Sequence, residues 1–93
     1  MQKIKEKAWV MWPDGQIDVL STAKPLAVAH SLAQAPGFYG FAGIVRYDHT
    51  TFEVYMTRVE RQRGIVSVED VPVPYPIIAT KLKRKLRIKD HGD

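Results

Sequence analysis

Residues 51–57 alternate, with Phe52, Val54 and Met56 on one side and Thr51, Glu53, Tyr55 and Thr57 on the other. A period of two carried by aromatic and β-branched residues marks a half-buried strand. The polar cluster Asp48-His49-Thr50-Thr51 before it suits a turn, and Ala42–Tyr47 forms a second short apolar run, so the pattern predicts a hairpin. A two- or four-residue loop centred on His49-Thr50 sets Tyr47 against Phe52, Val45 against Val54 and Gly43 against Met56. The other face then pairs Arg46 with Glu53 and Ile44 with Tyr55. Apolar meets apolar and opposite charges meet, as cross-strand stabilisation requires. A three-residue loop would put Tyr47 against Glu53 and Arg46 against Val54, which rules it out.

A second hairpin is predicted nearer the N-terminus, where Ala8–Trp12 and Gln16–Leu20 flank Pro13-Asp14-Gly15. Proline supplies φ near −65° and glycine accepts the left-handed conformation after it. That combination favours a three-residue loop with a glycine bulge, placing Met11 opposite Ile17 and Trp9 opposite Val19. The alternative register sets Trp12 opposite Ile17 and Val10 opposite Val19, and the letters leave it open. Ser21-Thr22 offers an N-cap to a helix with Pro25 in its first turn and Pro36-Gly37 as its stop. On a helical wheel Leu26, Val28, Ala29, Leu32, Ala33 and Ala35 make the apolar half, while His30 falls on the polar flank as a solvated side chain.

Beyond the central hairpin, Glu60–Gly64 reads as a charged turn and Ile65–Val68 as a short fifth strand returning onto Thr57–Val59. Val71–Pro76, with three prolines, reads as an extended connector. Ile77–Lys89 fits both periods: a helix with Ile78, Ala79, Leu82 and Leu86 as its stripe, or a strand with alternate lysines on one side. Its straight-chain residues favour the helix. The expected fold is α+β, in the order ββαββ(β)α. It is an antiparallel sheet of two hairpins, extended by the fifth strand, with one packed helix and a basic C-terminal helix or strand.

At 93 residues this is the size of a single domain spanning 1–93. Without cysteine there is no disulfide framework, thiolate nucleophile or cysteine-based zinc site. No apolar run reaches the ~18 residues of a membrane span, and the N-terminus lacks the apolar core and cleavage site of a secretory signal. The expectation is a cytoplasmic protein without a membrane partner.

Charge changes the picture most. The net charge is +4, yet residues 1–76 carry eight Lys/Arg against eight Asp/Glu, so the whole excess lies in 77–93. Lys81, Lys83, Arg84, Lys85, Arg87 and Lys89 put six cations within nine residues, able to neutralise several phosphates. They are the candidate nucleic-acid-binding residues. Trp9, Trp12, Phe38, Tyr39 and Phe41 are the candidate protein-partner contacts, since interface hot spots favour aromatic rings.

Catalytic patterns are missing. No serine sits in a glycine elbow, His30, His49 and His91 lack metal-ligand spacing, and no glycine-rich loop opens a helix to cradle a nucleotide cofactor. Adjacent Asp48 and His49 point apart in extended chain. The run Gly37–Gly43, with Phe38, Tyr39 and Phe41 spaced by glycines, is similar to the aromatic-glycine strand of RNA-recognition domains. It departs from that strand in having no leading Lys or Arg, in placing Phe38 at a glycine position and in directly following the first helix, so the match fails. Phe38, Tyr39 and Phe41 are expected instead to form a helix-to-strand connection whose rings cap the core.

The expected function is a non-catalytic binder of nucleic acid or of a nucleoprotein complex. The alternative is a stoichiometric inhibitor or effector, of the kind phages and mobile elements encode, binding a host protein. A small metal-free ribonuclease built on His49, arginines and the basic tail ranks behind both. It would resemble bacterial messenger-cleaving toxins, whose order begins with helices rather than with a hairpin.

Overall fold

The computed structural model describes residues 4–88. Lys5–Met11 (β1) and Ile17–Leu20 (β2) form the first hairpin, followed by Pro25–Gln34 (α1), Phe41–Tyr47 (β3), Phe52–Gln62 (β4), Ile65–Pro72 (β5) and Pro76–Leu86 (α2). The fold is α+β: a five-stranded antiparallel sheet in the order β2-β1-β3-β4-β5, with two helices. Both hairpin registers follow the cross-strand chemistry. Tyr47 pairs with Phe52, Val45 with Val54 and Arg46 with Glu53. In the first hairpin Met11 pairs with Ile17 and Trp9 with Val19, the bulged register, closed by Gly15 at φ 89°.

One turn, one strand end and two helix features differ from expectation. Glu60, Arg61 and Gln62 are strand, not turn, because they pair with Ser67, Val66 and Ile65. The turn is Arg63-Gly64, with φ of 53° and 78°, the two-residue geometry whose twist matches antiparallel strands. β5 accordingly runs on to Pro72, opposite Tyr55. An edge strand tolerates a proline because one of its sides has no ladder to feed. α1 starts at Pro25 with Lys24 as its uncapped N-terminus, while Thr22 Oγ1 accepts the Lys24 N–H at 3.1 Å in a turn ahead of the helix. Finally, Leu26 is 41% exposed, whereas His30 turns toward the sheet.

Register separates the two faces of the sheet. Trp9, Ile17 and Val45 form one buried cluster with Ile78 and Leu82 of α2, flanked by Met11, Phe52, Val54 and Met56. The opposite face carries Ala8, Val10, Ala42 and Ile44, all buried. α1 packs there, since His30 bonds Asp70, whose partner Thr57 shares that parity. Ala8 and Ala42, with Ala29 on α1, are small, whereas the α2 face is filled by the larger Trp9, Ile17 and Val45.

Trp9 organises the α2 face. Its indole N–H donates to the carbonyls of both Ile44 (3.1 Å) and Tyr55 (3.2 Å), so the ring reaches from β1 across β3 to β4. The residue opposite it is Gly43, where an added Cβ would lie 2.8 Å from Met56 Cα and collide with the Tyr55 carbonyl.

α2 is a helix because Lys, Leu and Arg favour one and because Ile78 and Leu82 are buried on the sheet. Its end is fixed by Arg87 at φ 59°, whose N–H donates to Arg84 O (3.2 Å) while Ile88 N–H donates to Lys83 O (2.9 Å). That is the two-bond pattern that closes helices at a left-handed residue.

Candidate nucleic-acid interface

With Ile78 and Leu82 turned inward, the 3.6-residue period puts the cations on two flanks of α2. Lys81 on one flank donates to Gly15 O at 2.6 Å in the β1–β2 turn. Lys83 on the other lies 5.1 Å over the Phe52 ring. Met11 and Phe52 lie at opposite ends of the strands, so α2 runs across the sheet rather than along it. Arg84, Lys85 and Arg87 are exposed. Among the described residues no acidic side chain forms an ion pair with Lys81, Arg84, Lys85 or Arg87. Lysines and arginines in the last turn also face the negative end of the helix dipole, which they stabilise. Lys89 lies outside the described residues.

Lys81, Arg84 and Lys85 line an open cleft of about 450 Å³ whose other wall is Gly15, Gln16 and Ile17 of the first hairpin. Among the described residues no acidic side chain lines it. Sequence reasoning found the cations but missed this wall, because the Lys81–Gly15 bond joins residues 66 positions apart. Nothing local announces such a contact.

The aromatic candidates divide. Trp9 is completely buried and offers no surface to a partner, which corrects its assignment as a contact residue. Phe41 packs against the core and tilts onto Tyr75 with 5.8 Å between ring centroids. Trp12 is 39% exposed, donates its indole N–H to Asp18 Oδ2 at 2.7 Å and meets Phe38 edge-on at 6.2 Å. Tyr39 is 76% exposed.

His30 was expected in solvent. Instead its Nε2–H donates to both Asp70 oxygens (3.0 and 3.1 Å), and Thr57 Oγ1 donates to Asp70 Oδ1 at 3.3 Å. A helical wheel cannot anticipate an acid 40 positions away. In a nucleophilic triad the histidine takes the hydroxyl proton; here the carboxylate receives both donors, and Thr57 is 7% exposed. The group pins α1 to β5.

Asp48 closes the β3–β4 turn by accepting the N–H groups of Thr50 (2.9 Å) and Thr51 (2.7 Å). Those bonds, the one from Thr50 first, hold its carboxyl below the ordinary carboxylate value. A depressed folded-state value means the stabilisation is complete above the unfolded value near 3.8 and disappears as pH falls through the lower one. Asp48→Ala is therefore expected to lower the thermal midpoint at neutral pH, with the deficit shrinking below about pH 4. A deficit constant from neutral to strongly acid pH would disprove the assignment. His49 is exposed at this turn, at the other end of the strands from the cleft.

Among the described residues no three His, Cys, Asp or Glu side chains cluster as a metal site would require, and no helix is long and apolar enough to cross a membrane. Comparison with known proteins returns no matching family model, no matching curated protein and no matching solved structure.

Proposed function

We propose that the protein binds nucleic acid without catalysing a reaction on it, through the outer side of α2 and the cleft beside it. The observation that carries this reading is the presentation of Arg84, Lys85 and Arg87. They are exposed, without an acidic partner among the described residues, on a helix anchored by Ile78, Leu82 and the Lys81–Gly15 bond. Anchoring matters because a preorganised array of cations loses little entropy when it meets a row of phosphates.

The test is the salt dependence of binding to DNA and RNA oligonucleotides. Each neutralised phosphate contributes about 0.9 to the slope of log K against log salt on duplex and about 0.7 on single strands. Engagement of roughly three phosphates then lowers affinity about 20- to 40-fold between 50 and 200 mM salt. No binding at the lower salt, or binding indifferent to salt, refutes the reading.

One observation favours a second reading, that of an effector binding a host protein. β5 is an edge strand with Ile65 71% and Val66 48% exposed, and an open strand edge invites pairing by another chain. A cross-linked pull-down in which Ile65→Lys abolishes recovery of one specific protein supports it; recovery unaffected by that substitution counts against it.

A further inference from the structure

The β1–β2 turn has the cationic cleft on one side and aromatic rings on the other. The loop 36–40 enters β3 at Phe41, directly opposite Met11 at the root of that turn. It is held there tightly: Phe38 N–H donates to Ala35 O at 3.2 Å, Phe38 meets Trp12 edge-on, and Gly40 sits so close to the Met11 carbonyl that no Cβ would fit. At φ 149° Gly40 also holds a conformation that other residues rarely adopt. Tyr39, 76% exposed, is therefore a ring presented to solvent by a backbone fixed on both sides. Across the same turn Gly15 and Gln16 wall the cleft with Lys81, Arg84 and Lys85.

We infer that this end of the molecule takes single-stranded nucleic acid, with phosphates in the cleft and an unstacked base on Tyr39. The inference rests on the nucleic-acid reading above and specifies its partner. The chemistry favours one strand over two. Cations alone serve duplex and single strand alike, but an exposed ring gains from a base only where the base's face is free, and in a duplex those faces are covered by stacking. Cationic grooves beside aromatic platforms are the general solution for single strands. Both halves sit at the same end of the sheet, on either side of the β1–β2 turn, so a strand that engages both crosses that turn. Trp12, in contact with Phe38 and bonded to Asp18, is part-exposed beside the loop that carries Tyr39, whereas Trp9 is sealed in the core.

The experiment compares a pyrimidine oligonucleotide, as DNA and as RNA, with the duplex of the same sequence by fluorescence anisotropy at low salt. It uses the native chain and Tyr39→Ala. Loss of one base–ring stack is worth about 5- to 150-fold in affinity. The expected result is tighter binding of the single strand, a fall of that size in its affinity for Tyr39→Ala with the duplex unchanged, and quenching of Trp12 emission on binding. Tyr39 is exposed enough that the variant should keep the native thermal midpoint, which separates lost binding from lost folding. Equal or tighter binding of the duplex, or an equal effect of Tyr39→Ala on both ligands, overturns the inference while leaving the broader reading standing. If neither ligand binds at low salt, both fall together.

Discussion

Trp9→Ala is expected to destabilise the protein by about 3–5 kcal/mol, the range for removing a large buried aromatic side chain. Small domains are marginal, with total stabilities of roughly 5–15 kcal/mol, so the loss would remove a large fraction of the total. The cost has two sources. Trp9 is completely buried against Ile17, Val45, Ile78 and Leu82, and its truncation leaves a hole that the sheet cannot collapse to fill, since backbone lies beneath it. Its N–H also joins the carbonyls of Ile44 and Tyr55, a link across β3 and β4 that no aliphatic residue reproduces. Trp9→Phe retains much of the volume but not the N–H, and should cost less, about 1–2 kcal/mol from the lost hydrogen bonding with its partial cavity. Urea unfolding of the three proteins measures both steps. A loss under about 1 kcal/mol for Trp9→Ala would mean that the ring is not the keystone described.

The second large effect is on binding. Replacing Arg84, Lys85 and Arg87 together by glutamate should reduce affinity for an oligonucleotide at least about 100-fold at low salt, because three contacts are removed and three repulsions introduced. The salt slope should fall by roughly 2–3 in the same titration. All three side chains are exposed and the apolar anchors of α2 are untouched, so the circular dichroism spectrum should stay near native, with a modest fall in thermal midpoint from the anions placed at the negative end of the helix dipole. Lys81 is left in place because it secures the helix to Gly15. Retained affinity with an unaltered slope would place the nucleic-acid surface elsewhere or remove it.

The β3–β4 register was legible because neighbouring strands write their pairing in adjacent letters, Arg46 with Glu53 and Val45 with Val54; in the first hairpin the letters favoured Met11 with Ile17 but left the other register open. The same logic lost the far end of β4. Glu60–Gln62 lie beyond the last pairing with β3, Gly43 with Met56. Both sides of the strand there are exposed, and alternation vanishes where neither face is buried. α2 was ambiguous because its cations satisfy both periods; straight-chain preference and the Ile78–Leu82 spacing decided it. The cationic half of the site was therefore visible in composition. Its opposing wall, the burial of Trp9 against the exposure of Trp12, and the inward turn of His30 were not. Each depends on residues that meet only after the sheet has closed.

Closure of that sheet happens at one seam. β1–β2, β3–β4 and β4–β5 are each joined by a short turn, whereas β1 and β3 pair across everything from Trp12 to Gly40. The loop-closure entropy of assembling the sheet is thus concentrated in a single encounter between a two-stranded and a three-stranded unit. The Trp9 ring, carried by one unit and bonded to the other, contributes at the very seam where chain topology sets the pace of folding.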